Sequence, residues 1–201
     1  MRPLARAFYA RPVLVVARDV IGCILVHDTA EGRVAGQVVE AEAYGQEDPG
    51  SHAFRGRTPR TAPMFERPGH AYVYFTYGMH FCFNIVCERE GVAGAVLIRA
   101  VEPLEGIELM RARRGPVADR DLARGPARLT QAFGIARAEN RSDLTRAPLH
   151  LAPGERLPVQ DVVETPRIGL GRSQDGRRWR FAVRDNRWVS GPRRLQDSST
   201  D

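Results

Sequence analysis

Between Gln37 and Arg99 the sequence gathers side chains suited to acid–base chemistry on a flat, aromatic substrate. Glu42 is a carboxylate among alanines in VVEAEAY. Tyr44, Tyr72, Tyr74 and Tyr77 supply rings, and an arginine-rich loop lies between them. Hydrolysing the bond between a base and its sugar needs a water aimed at the sugar C1′ and a negative charge facing the developing oxocarbenium ion. One positioned Glu supplies both. An Arg beside it keeps that Glu ionised and helps to fix the water. Aromatic walls would hold a base turned out of a duplex, and a further side chain would fill the gap left in the stack.

Composition removes other chemistries. All 30 Lys+Arg residues are arginine, so no lysine amine exists for a Schiff base and only the N-terminal amine remains for that part. There is no P-loop, GxGxxG or GxSxG pattern. His27, His52, His70, His80 and His150 lack HExxH spacing, so no metal site is expected. Cys23, Cys82 and Cys87 are odd in number and form no CxxC, which points to free thiols in a reducing compartment. The net charge of +6 suits a polyanionic partner, although many basic proteins bind no nucleic acid. No apolar run is long enough to span a membrane, and the N-terminus lacks a signal-peptide pattern, so a cytoplasmic, nucleoid-associated protein is expected. The length suits a single domain over residues 1–192 with a polar tail at 193–201.

The elements that must position these residues follow from pattern. Pro12 and Gly22 bracket a short helix, VLVVARDVIG. Cys23–His27 and VAGQVVEAEAY read as paired strands. In the second, Val39, Ala41 and Ala43 should point one way and Val38, Glu40, Glu42 and Tyr44 the other. The competing reading is a solvated face with two ordinary carboxylates. From Gly45 to Gly69 there is little periodicity. A loop of this length tends to be functional, its arginines can reach phosphates, and His52, Met64 and Phe65 argue for packing.

AYVYFTYG and MHFCFNIVCE read as strands joined by a turn at Tyr77-Gly78. Met79, Phe81, Phe83 and Ile85 should share one face and His80, Cys82, Asn84 and Val86 the other. AVLIRAVEP completes a three-stranded antiparallel meander. Pro103 should open a helix ended by Gly115, and Pro126 another ended by Gly134; Arg128 in its first turn is either part of a phosphate-binding helix end or a surface arginine on a packing helix. PRIGLG and RRWRFAVRDNRWVSG read as a loop and a strand closing the sheet.

VVEAEAY, RTPRTAPMF, AYVYFTYGMHFCFNI, VLIRAVEPLEG and GPARL resemble the alkyladenine (3-methyladenine) DNA glycosylase family, from the first helix to near Ser190. The resemblance implies an α/β (α+β) fold: a single domain with a curved antiparallel β-sheet core surrounded by helices. It implies a monomer that needs no cofactor and acts on double-stranded DNA containing damaged purines (3-methyladenine, 7-methylguanine, hypoxanthine, ethenoadenine), leaving an abasic site.

Residue by residue, Glu42 matches the family's general base and Arg99 the arginine that helps hold the water. The Leu170 carbonyl falls at a third water contact. Tyr44 and Tyr74 match the rings that sandwich the flipped base, and His52 lines the same pocket. Asn84 matches the asparagine that disfavours the exocyclic amino group of guanine. Tyr77 matches the wedge, flanked by Met79, while Arg60 and Arg128 match backbone contacts. Two other readings stand beside this one: a non-catalytic nucleic-acid-binding module, and a hydrolase of free nucleosides or nucleotides.

Overall fold

The computed structural model describes residues 1–173 and 176–191, and the tail expected at 193–201 lies outside them. Its backbone is an eight-stranded sheet of antiparallel pairs, built around one long strand. That strand is β2, Gly32–Gly45. Along one edge it pairs with β5, Gly94–Glu105; along the other it pairs first with β1, Ile24–Thr29, and then with β8, Arg180–Val183. The strands β3 (Ala71–Thr76) and β4 (His80–Val86) extend the sheet beyond β5 as the expected meander. β6 (Leu149–Ala152) pairs with β1, and β7 (Val162–Thr165) with β8; neither is signalled by sequence pattern.

Among the described residues four short α-helices accompany the sheet: α1 Arg6–Tyr9, α2 Val13–Asp19, α3 Ile107–Arg114 and α4 Pro126–Phe133. The main core lies between the sheet and this helical layer. Val73, Phe83, Ile85, Val96, Ile98, Ala41 and Ala43 pack there with Val16 of α2 and Leu129 and Phe133 of α4. Phe83 and Ile85 thus occupy the face that alternation assigns them. Residues of opposite parity on the same strands look the other way, and that second face carries the candidate site.

The structure corrects three expectations. The alternation of β2 holds from Glu40 to Tyr44 but breaks before it, where register shifts flank Glu40. Val38 therefore joins Ala41 and Ala43 in the main core, while Val39 packs with Ala100, Ala182 and Trp188. A bulge reverses side-chain parity, which residue types alone do not announce. Pro103 does not open a helix. It lies inside β5, paired with Gly36 beside another register shift, where its missing N–H is tolerated. The chain turns at Gly106 (φ +74°), where a Cβ would lie 2.2 Å from the Arg33 carbonyl oxygen, and α3 begins after it. Met79 is not on the strand face with Phe81: it sits in the β3–β4 turn, 68% exposed.

Candidate active site

Cross-strand register assembles the site. Tyr72 pairs with Asn84 and Tyr74 with Cys82 across β3 and β4, Asn84 pairs with Leu97, and Leu97 pairs with Glu42. Residues directly opposite in an antiparallel ladder share a face, so these side chains form one surface across four strands. Arg99, two residues beyond Leu97, joins it. Register shifts leave Arg99 without a ladder partner on β2, between Ala100 opposite Glu40 and Ile98 opposite Ala41.

The resulting cavity, about 420 Å³, lies within the roughly 300–1,000 Å³ usual for small-ligand pockets. Of the residues assigned from sequence, Tyr44, His52, Tyr74, Tyr77, Asn84, Arg99 and Leu170 line it. Glu42 lies one hydrogen bond behind the wall and is fully buried, which excludes the solvated-face reading. Its Oε2 accepts from the Tyr44 hydroxyl at 2.8 Å and from Arg99 Nη1 at 3.1 Å; its Oε1 accepts from the Ile168 backbone N–H at 2.8 Å. All three donor residues line the cavity. Burial opposes the charge on Arg99, but Glu42 and Glu40 outweigh it and hold the guanidinium firmly protonated. The Tyr44 hydroxyl is held protonated by burial and by the neighbouring Glu42 charge, which keeps it a donor.

The aromatic wall is braced from outside. The Arg167 guanidinium lies over the Tyr44 ring, 4.6 Å from its centroid, and ion-pairs with the fully buried Asp48. Arg167 Nη1 also donates to the Ala43 carbonyl at 2.8 Å, anchoring the end of β2. His52 meets the Tyr74 ring edge-on at 4.6 Å between centroids, and its Nδ1 is 3.1 Å from the Tyr72 hydroxyl. Desolvation, then the Arg60 charge, lower the His52 pKa and favour the neutral imidazole. The Asn84 amide is oriented by its Nδ2 donating to the Tyr72 carbonyl at 3.0 Å.

The arginine-rich loop is packed. It forms two 3₁₀ turns, His52–Arg55 and Ala62–Phe65, and buries Ala53 and Met64 against Tyr72 and Ala95. Arg60 from this loop lies over Tyr74 at 5.5 Å. Arg128, in the first turn of α4, bonds Asp121 at 2.7 Å and borders an adjoining cleft with Arg99, Arg124 and Ser190. Tyr77 stands at the β3–β4 tip with φ +51°, 84% exposed. The Leu170 carbonyl accepts from the Ser173 N–H at 3.0 Å, and in the same segment the Ile168 N–H donates to Glu42.

Sequence reasoning missed Ile168, Asp48, Arg167 and the buried set Glu40, Arg180 and Ser190. Only Glu40 carries a local signal, its alternation with Glu42. Among the described residues no cluster of His, Cys, Asp and Glu could hold a metal ion.

A family model described as "Methylpurine-DNA glycosylase (MPG)" matches residues 7–187. A protein of Carboxydothermus hydrogenoformans named "Putative 3-methyladenine DNA glycosylase" is 48% identical over 93% of this chain and 98% of its own length. Proteins of the same name from Burkholderia lata and Salinibacter ruber are 51% and 43% identical, each over 94% of this chain and over 91% and 97% of their own lengths. The chain belongs to the methylpurine-DNA glycosylase family.

Proposed function

We propose that this protein is a 3-methyladenine DNA glycosylase of base-excision repair that turns a damaged purine out of duplex DNA into the Tyr44–Tyr74 cavity and hydrolyses its N-glycosidic bond. The observation that carries the reading is the fully buried Glu42, whose three donors each line an aromatic-walled cavity beneath an exposed tyrosine. Arg99 and Tyr44 hold Oε2, whereas Oε1 takes a single donor and keeps a lone pair for a water. The water enters where Tyr44, Arg99 and Ile168 meet, with the main chain of residues 168–170 as a further contact. As the base departs, the Glu42 carboxylate faces the developing oxocarbenium charge, and it takes the water's proton as the water oxygen bonds to C1′. Alkylation at N3 or N7 makes the purine cationic and therefore a good leaving group.

The other roles follow from position. Tyr44 and Tyr74 flank the base, with neutral His52 at its edge. With Nδ2 of Asn84 committed to the Tyr72 carbonyl, its Oδ1 has no partner among the described residues. Tyr77, flanked by Met79, fills the vacated stack, and Arg60 and Arg128 lie within reach of backbone phosphates. The reaction leaves an abasic site, and with no lysine in the sequence a lyase step through a lysine Schiff base is excluded.

The test is release of free base from duplex oligonucleotides carrying a 3-methyladenine analogue, hypoxanthine or ethenoadenine, with Glu42→Gln alongside. Free base, an alkali-labile strand and an inactive variant are expected. Binding without release by either protein would identify a nucleic-acid-binding module, and cleavage of free nucleosides at a comparable rate would identify a nucleoside hydrolase.

A further inference from the structure

Behind Glu42 lies a second buried carboxylate that the mechanism above does not use. Glu40 is fully buried on the same face of β2 and does not line the cavity. Its Oε1 accepts from Arg99 Nε at 2.9 Å and from Arg180 Nε at 2.6 Å; its Oε2 accepts from the Ser190 N–H at 2.7 Å. Arg180 is also fully buried. Its Nη1 donates to Thr165 Oγ1 at 2.7 Å and its Nη2 to the Ser190 carbonyl at 2.9 Å. Arg99 completes the set by donating Nη2 to Ser190 Oγ at 3.3 Å. Three separate edges of the Arg99 guanidinium therefore meet Glu40, Glu42 and Ser190.

We propose that Glu40 and Arg180 are positioning residues for excision, holding the Arg99 guanidinium in the plane that presents Nη1 to Glu42; this rests on the reading of Glu42 and Arg99 given above. Three observations carry it. First, the quartet Glu40, Glu42, Arg99 and Arg180 is charge-balanced, and neither Glu40 nor Arg180 reaches the cavity, so neither can touch a base or its sugar. Second, burying ions is a poor way to stabilise a sheet, since well-packed apolar replacements are commonly neutral or better. What such a cluster supplies here is direction: Arg99 has no ladder partner on β2, and its head is instead fixed by groups from β2 and from the 188–190 segment. Third, Arg180 joins β8, Thr165 and Ser190 to the same oxygen of Glu40 that receives Arg99, so the far wall of the site and the guanidinium share one anchor.

The experiment measures single-turnover excision from a lesion duplex and, separately, affinity for a duplex carrying an uncleavable abasic-site analogue. Glu40→Gln keeps the shape and removes the charge. It should lower the excision rate constant roughly 10- to 100-fold, as expected when a group beside the reacting centre is misplaced, with affinity within about twofold of wild type. Ser190→Ala, a smaller change at the same anchor, should lower the rate about threefold with the same affinity. A role confined to folding would lower the active fraction and leave the rate constant per bound enzyme unchanged. A folded Glu40→Gln protein excising within twofold of wild type overturns the proposal. If that variant does not fold, a wild-type rate for Ser190→Ala overturns it. Glu42→Gln in the same assay separates the two claims: full activity there refutes the reading of the site itself, whereas an inactive Glu42→Gln beside a fully active Glu40→Gln refutes only the positioning role.

Discussion

The Tyr44 hydroxyl donates to Glu42 Oε2 at 2.8 Å from two residues along the same strand. One side chain therefore serves twice, its ring as cavity wall and its oxygen as a clamp on the buried carboxylate. Tyr44→Phe separates the two. It should keep affinity for lesion duplex and lose about tenfold in single-turnover rate, the equivalent of one hydrogen bond to a charged group at roughly 1.5 kcal/mol. Tyr44→Ala should lose affinity as well. Equal rates for wild type and Tyr44→Phe would remove the hydroxyl from the mechanism.

Tyr77 occupies left-handed backbone (φ +51°) at the exposed hairpin tip. Such a conformation costs a non-glycine residue about 1–2 kcal/mol, which equals or exceeds the roughly 0.5–1 kcal/mol entropic cost of glycine. Tyr77→Gly should therefore melt at or slightly above the wild-type temperature. Excision from duplex DNA should nonetheless fall at least tenfold, because the few kcal/mol of unstacking are no longer offset. Excision of the same lesion from a single strand should change much less. An unchanged duplex rate would reject the wedge.

The Asp48–Arg167 pair is completely buried and backs the Tyr44 ring. Asp48→Ala leaves a buried guanidinium without its main counter-charge, which typically costs about 3–5 kcal/mol. Urea denaturation should register a loss of that size. A loss under about 1 kcal/mol would mean that Arg167 reaches solvent when unpaired.

Burial pushes the Glu40 carboxyl up, but Arg99, Arg180 and Ser190 outweigh burial and hold it below the ordinary range. The folded chain then binds this proton less tightly than the unfolded chain. The resulting stability is present above the unfolded carboxyl pKa of about 4.3 and is lost as pH falls through the lower folded value. Wild-type melting temperature should decline as pH drops below about 4.3. Glu40→Gln should start lower at neutral pH and decline less steeply. Parallel curves would show that Glu40 takes no part in acid destabilisation.

The parts legible in the sequence are those governed by short-range periodicity. Alternation along β2 put Glu40, Glu42 and Tyr44 on one face, and alternation along β4 separated Asn84 and Cys82 from Phe83 and Ile85. The Tyr77-Gly78 turn marked the hairpin tip. Alternation failed at Val38 and Val39, where a bulge inserts a step that no residue type signals. Proline at position 103 misled because the residue that opens a helix in one setting is tolerated at a register shift in another.

By itself, the sequence determined the chemical inventory: a carboxylate among rings and arginines, no lysine, a basic surface and a run of strands to carry them. Tertiary structure alone decided which groups meet. Ile168 reaches Glu42 across 126 residues, Arg167 reaches Asp48 across 119, and Arg180 reaches Glu40 across 140. Strand periodicity extends over a few residues, whereas these contacts depend on where β8 and the 165–173 and 188–190 segments close over the second face of the sheet. Burying charges there is favourable only once all the partners arrive together, so the site exists as a property of the closed fold and of no single stretch of chain.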